Sequence, residues 1–306
     1  MKNNVLAALA AAFCMFMPAQ TLACACGCGI FDVGAGALLP NGAGGVAYIE
    51  YEFMDQNHDW SGTGGAPASA NPDKQIRSNF VTLGAQYMLN RAWGVMVEVP
   101  VWDRLFRTDE GDGVESHHHA ALGDIRLKGV YSGFSKDMST GVIFGVKLPT
   151  GDYRYAGFDR DTALGTGSTD LLLGAYHTGQ ITHDGRWSYY AQAMAQIPVT
   201  AVGDYRPGQD FNAAVGVRYQ SAVFAAGRMR LTPVLQLIAS SRGHDAGVSA
   251  DPPNSGYSRL LISPGLALNV DAWRLYADVE LPIYQQVRGD QLVAPALFKM
   301  VLSHGF

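Results

Sequence analysis

The sequence predicts an all-β fold: a closed antiparallel up-and-down transmembrane β-barrel of about twelve strands, an even number, with both termini in the periplasm. Three observations lead there. From Val46 onward, apolar and polar residues alternate in runs of about ten to thirteen residues separated by turns or loops. The connections between runs are alternately long and short. The chain also begins with an export signal and ends on an aromatic residue, Phe306. Composition agrees, since 16% charged and 48% hydrophobic residues over 306 positions can fill a large core but leave less charge than an ordinary soluble surface carries.

In chain order, residues 1–25 read as a signal peptide. Lys2 supplies the positive start, Val5 to Met17 the apolar run, and the small residues Ala23 and Ala25 the cleavage site. A cut after Ala25 uses Ala23-Cys24-Ala25, whereas a cut after Ala23 keeps Cys24 with Thr21 at the minus-three position. Lipidation of Cys24 is a third route, poorly served by Thr21-Leu22-Ala23-Cys24 because the leucine stands one place too late. Residues 26–45 follow as a Cys/Gly-rich periplasmic segment and 46–306 as the barrel. No later stretch offers about eighteen consecutive apolar residues, so strands rather than helices are expected to cross the bilayer. The net charge of -5 is spread along the chain without the Lys/Arg cluster that neutralises phosphates, which argues against a nucleic-acid partner.

The first run sets the pattern: Ala47, Ile49, Tyr51 and Phe53 point one way, Tyr48, Glu50 and Glu52 the other. Val95, Val97, Val99 and Val101 oppose Met96 and Glu98. Ile125, Leu127 and Tyr131 oppose Asp124, Arg126 and Lys128, and Val142, Phe144, Val146 and Leu148 oppose Lys147. Leu275, Ala277, Val279 and Leu281 oppose Arg274, Tyr276, Asp278 and Glu280. Long polar connections are expected at 57–76, 104–120, 149–168, 199–209, 241–257 and 285–293, with short turns near Asn90, Ser135, Thr182, Ala222 and Asp271. Outer-membrane barrels have this asymmetry.

Tyr87, Trp93, Tyr131, Phe134, Trp187, Tyr219, Trp273 and Phe306 gather at the short-turn ends as an interfacial girdle. Phe298, Met300, Leu302 and His304 share the face of Phe306 and resemble the terminal signature read by barrel-assembly machinery. Pro233 and Pro264 fall inside runs where a closed barrel has no edge to spare a missing donor, so bulges are expected there. A soluble β-sandwich would also alternate, but it leaves the export signal, the loop asymmetry and the terminal Phe without a reason.

Cys24, Cys26 and Cys28 form a C-x-C-x-C cluster that could hold a soft metal such as Cu(I) or form disulfides in the periplasm. The plainer alternative is a disulfide or the cleavage region itself, with Cys14 removed with the signal. His117, His118 and His119 stand near Asp109, Glu110, Asp112 and Glu115 in an expected outer loop, where divalent cations could dwell, although a solvated loop explains them as well. His177 and His304 read as interface residues. No nucleophile, base and orienting group come together near the outer rim, so an enzyme is not expected and no cofactor is called for.

The inward charges are the candidate lumen lining. Glu50, Glu52, Glu98, Asp124, Asp170, Asp278 and Glu280 stand against Arg126, Lys128, Lys147, Arg218, Arg230, Arg274 and Lys299. Such a balanced mixture lines a polar channel or pairs into a network that fills the barrel.

The segment Lys147-Leu148-Pro149-Thr150-Gly151-Asp152, followed by Leu164-Gly165-Thr166-Gly167-Ser168-Thr169-Asp170-Leu171, resembles the outer-membrane proteins grouped with the MetA proteins of phenol-degradation pathways. Pro149 suits the end of a strand, Gly151 a turn, and Gly165 and Gly167 the return. The specific motifs span about Val142 to Tyr176, and the strand pattern is shared over most of the barrel. The resemblance implies a channel or transporter passing small molecules, with hydrophobic ones as candidates, across the outer membrane. The expected partners are then outer-membrane lipid, the barrel-assembly machinery, a small-molecule solute and, at the cysteine segment, a periplasmic protein. The alternative is a sealed scaffold or an adhesion or docking protein that uses its outer loops or cysteine segment.

Overall fold

Alternation at period two makes the long strands of this chain amphipathic, and a single closed sheet of such strands turns one face inward and the other outward. The computed structural model describes residues 44–306 apart from 110, 204 and 225–227. The expectations for the signal peptide and for Cys24, Cys26 and Cys28 fall outside the described residues.

Twelve staves form one sheet. They are β1 (Gly44–Gln56), β2 (Asp73–Met88), β3 (Trp93–Thr108), β4 in two pieces, β4a (Glu115–Leu122) and β4b (Arg126–Tyr131), and β5 (Thr140–Lys147). There follow β6 (Asp170–Gln180), β7 (Trp187–Pro198), β8 (Asp210–Tyr219), β9 (Met229–Arg242), β10 (Tyr257–Val270), β11 (Trp273–Val287) and β12 (Leu297–Gly305). Each pairs antiparallel with its sequence neighbours. The sheet closes because β1 pairs with both β2 and β12, so that Ile49 lies opposite Leu83 on one side and Leu302 on the other. Closure gives the backbone donors and acceptors of the wall partners within the sheet, the condition for crossing hydrocarbon.

The faces separate as the alternation predicts. Ile49, Leu83, Val97, Leu173 and Leu237 are exposed on the outside, while Tyr48, Glu50, Glu52 and Glu98 are buried inside. An apolar belt that continuous is tolerable only in lipid. At the short-turn end Trp93 packs on Tyr131 with ring centres 4.7 Å apart, Trp187 on Tyr219 at 5.0 Å and Trp273 on His304 at 4.5 Å. This forms the expected aromatic girdle. Phe306 exchanges backbone hydrogen bonds with Gly45 at 2.7 and 2.9 Å, tying the last residue to the first described strand.

Four expectations are corrected. The connection at 104–120 is mostly strand: β3 runs to Thr108 and β4a starts at Glu115, so His117, His118 and His119 sit on a strand and not in a loop. Alternation then puts His118 on the face opposite His117 and His119. The connections at 57–76 and 285–293 are not free loops either. His58–Ser61 pairs with Gly64–Gly65 and with Asp290–Val293, a small sheet joining the first and last long connections. No bulge marks Pro233, because the β8–β9 ladder ends with Arg218 opposite Val234 and the proline falls just past that last pair. Beside Pro264 the β10–β11 ladder skips from Ile262 to Gly265, and the register shift falls earlier, between Leu260 and Leu261.

The lumen as candidate functional site

The interior is built by the family-like motif together with Asp124. β4 breaks at Gly123–Ile125, and the break aims the Asp124 carboxylate inward. Its Oδ1 accepts the backbone N–H of Gly151 at 3.0 Å, and its Oδ2 accepts the backbone N–H of Thr166 at 3.0 Å and the Thr166 hydroxyl at 2.8 Å. Lys147 Nζ lies 3.1 Å from Asp124 and 2.9 Å from Asp170, and it also donates to Thr166 and to Ser168. Ser168 and Gln196 donate to Asp170 at 2.6 and 2.7 Å. The two halves of the loop approach so closely that a Cβ on Gly165 would lie 2.4 Å from the Gly151 backbone.

That knot folds the 148–169 connection into the barrel. Thr162, Ala163, Leu164 and Ser168 are buried, and Leu164 packs in the same cluster as Phe80 and Trp102 on the inner wall. Arg104, fully buried on β3, holds the loop by donating to the Thr162 carbonyl at 2.6 Å and to Ser78 at 2.8 Å. Tyr155 of the same loop stacks on His119 of β4a, ring centres 3.8 Å apart. Between loop and wall a cavity of about 60 Å³ remains, bounded by Asp124, Lys147, Thr166, Met194 and Gln196.

Deeper in, the polar contacts run around the wall. Lys128 Nζ meets Glu98 at 2.8 Å between β4 and β3, and Lys299 Nζ meets Glu52 at 2.6 Å between β12 and β1. Tyrosines extend the pattern by lying flat over glycines. Tyr48 crosses Gly84 to donate to Glu98 at 2.9 Å, and Tyr190 crosses Gly216 to reach Gln236. A Cβ would come within 2.0 Å of the ring at Gly84 and 2.5 Å at Gly216. Gln236 also donates to Asp278 at 2.7 Å, which accepts from Tyr276 at 2.7 Å and Ser263 at 2.8 Å.

The connections at 199–209 and 243–256 are pinned through Asp245. It accepts from Tyr205 at 2.7 Å, the Gly208 backbone at 2.7 Å and Arg242 at 2.9 Å. Burial alone would raise this carboxyl, but Arg242 and these donors hold it below the ordinary aspartate value.

Residues 61–288 match the family described as "Putative MetA-pathway of phenol degradation". The chain belongs to that family. Among solved structures, this MetA-pathway family member is similar to an outer membrane channel from Pseudomonas putida F1, with a TM-score of 0.66, 12% identity, and coverage of 90% of this chain and 100% of that one. It is similar also to the β domain of the Bordetella autotransporter BrkA, with a TM-score of 0.51, 12% identity, and coverage of 87% and 100%. At such identities the likeness is one of fold. Among curated proteins none matches. The matched span of the MetA-pathway model contains the whole Asp124–Lys147–Asp170 knot.

Of the predicted lining, Glu50, Glu52, Glu98, Asp124, Arg126, Lys128, Lys147, Asp170, Asp278, Glu280 and Lys299 are buried on the inner face. Arg218, Arg230 and Arg274 are half-buried near its short-turn end. His117 contacts Glu115 at 3.2 Å, His118 contacts Asp103, and His119 contacts Asp152 at 3.2 Å. The three histidines thus go to separate partners, and the described residues contain no group of three or more metal-ligating side chains. Sequence reasoning missed Arg104, Gln236, Tyr190 and Tyr205. For Tyr190 the facing glycine, Gly216, is a hint, and that pairing needs the strand register.

Proposed function

We infer that this protein is a passive outer-membrane channel for small molecules, hydrophobic ones among them, with its short turns and termini on the periplasmic side. The observation that carries this reading is the direction of the lumenal bonds. Lys128–Glu98, Lys147–Asp170 and Lys299–Glu52 each join neighbouring strands, as bonds do that line a wall. A scaffold sealed by its charges would join opposite walls. Family membership and the fold shared with an outer membrane channel support the same reading. The inward-folded 148–169 loop acts as the constriction, with the buried inner charges as its lining. Lipid meets the outer belt, and the face of Phe298, Met300, Leu302 and Phe306 serves recognition by the barrel-assembly machinery. The cysteine segment is left as a periplasmic docking element.

The small sheet joining 58–65 to 290–293 favours a second reading, in which the long-loop end is a closed docking surface and the barrel is a scaffold. Entry of small neutral solutes into proteoliposomes separates the two. A channel speeds entry over protein-free vesicles, with rates falling as solute size rises. Correctly inserted barrels that leave the rate at the protein-free level would sink the channel reading.

A further inference from the structure

The short-turn end of the lumen differs in charge from the rest. Arg218 on β8, Arg230 on β9 and Arg274 on β11 face an open cavity of about 450 Å³ together with Gln220, Thr232 and Asn269. Register gathers them, since Asn269 of β10 lies opposite Arg230 on one side and Arg274 on the other. The one acid in the lining, Asp271, is already held by Arg228 of the neighbouring turn, whose Nε donates to Oδ1 at 3.2 Å and whose Nη2 donates to Oδ2. Arg230 Nη1 donates to the Gln220 side-chain oxygen Oε1 at 2.6 Å, and Arg274 Nε is buried without a hydrogen-bond acceptor. Neither Arg230 nor Arg274 forms an ion pair among the described residues. Arg218 lies over the Tyr190 ring, 5.0 Å from its centre. Elsewhere in the lumen, Lys128, Lys147 and Lys299 all meet carboxylates.

A recess between low-dielectric walls that gathers guanidinium groups concentrates anions, and the planar fork of an arginine matches a carboxylate with two parallel hydrogen bonds. We propose that this mouth is a binding site for small organic carboxylates, with the carboxylate between Arg230 and Arg274 and a short apolar body against Met229. The site goes beyond the channel reading, because binding there requires no open pathway.

The test is calorimetric titration of the full-length protein in non-ionic detergent, with benzoate as probe and benzyl alcohol as its neutral counterpart. Benzoate is expected to bind and benzyl alcohol not to. The paired substitution Arg230→Gln, Arg274→Gln is expected to weaken benzoate by about tenfold or more. Equal binding of both probes overturns the proposal, as does benzoate affinity unchanged in the variant. Displacement of benzoate by inorganic phosphate at equal concentration overturns the assignment to carboxylates. Should the glutamine pair fail to fold, Arg230→Lys with Arg274→Lys keeps the charge and removes the fork, and weakening is again expected. Because the titration measures no transport, a negative result here leaves the channel standing, and slow solute entry leaves this site standing.

Discussion

Lys147 is the residue on which most of the interior turns. Its ammonium is buried between Asp124 and Asp170, and its Asp124 partner in turn holds both halves of the 148–169 loop. Removing one member of a buried charged set leaves the others uncompensated, so Lys147→Met is expected to cost about 3–5 kcal/mol of stability. Unfolding in lipid vesicles, followed by tryptophan fluorescence, measures this. Asp245 gives a pH-dependent counterpart. Its folded-state pKa lies below the ordinary value, so its stabilisation is complete above the ordinary aspartate pKa and disappears as pH falls through the depressed one. The connections at 199–209 and 243–256 should therefore become protease-sensitive on acidification, and an Asp245→Asn variant should be sensitive at neutral pH as well. The charged residues of the lumen were legible because alternation fixes which side chains face inward. Their partners were not. Asp124 and Lys147 are 23 positions apart and Asp124 and Thr166 are 42, distances bridged only once the loop folds back.

Among the elements, the strands were the most legible, because a period of two over a long run has few other solutions. The outer face of β2 tests that reading: Leu83→Arg places a charge near mid-bilayer and is expected to destabilise by about 2–4 kcal/mol. Refolding into vesicles of defined lipid measures the change, and a cost near zero would mean that this face does not meet hydrocarbon. On the inner face Gly216→Val would drive a side chain into the Tyr190 ring and break its contact with Gln236, for about 1–3 kcal/mol in the same assay. Element ends were less legible. The polar residues around His117 read as loop because strands extending past the bilayer no longer need an apolar outer face. In those extensions the alternation that marks a strand fades, although its backbone pairing persists from Val101–Leu122 to Thr108–Glu115.

For the whole molecule, closure follows from an even number of antiparallel staves whose first and last members pair, and that was predictable from pattern alone. The inward fold of the 148–169 connection was not, since composition does not distinguish a loop that covers the barrel from one that enters it. Arg104 decides the matter, as a buried guanidinium on the inner wall that draws one acceptor from Ser78 of β2 and another from the loop backbone at Thr162. On the channel reading, this inward-folded loop is the constriction. The most direct test is single-channel conductance in a planar bilayer, comparing the native chain with one in which residues 153–163 are replaced by a short Gly-Ser bridge. The account predicts small steps for the native chain and larger ones for the shortened loop. Inserted barrels that stay silent in both forms would contradict it.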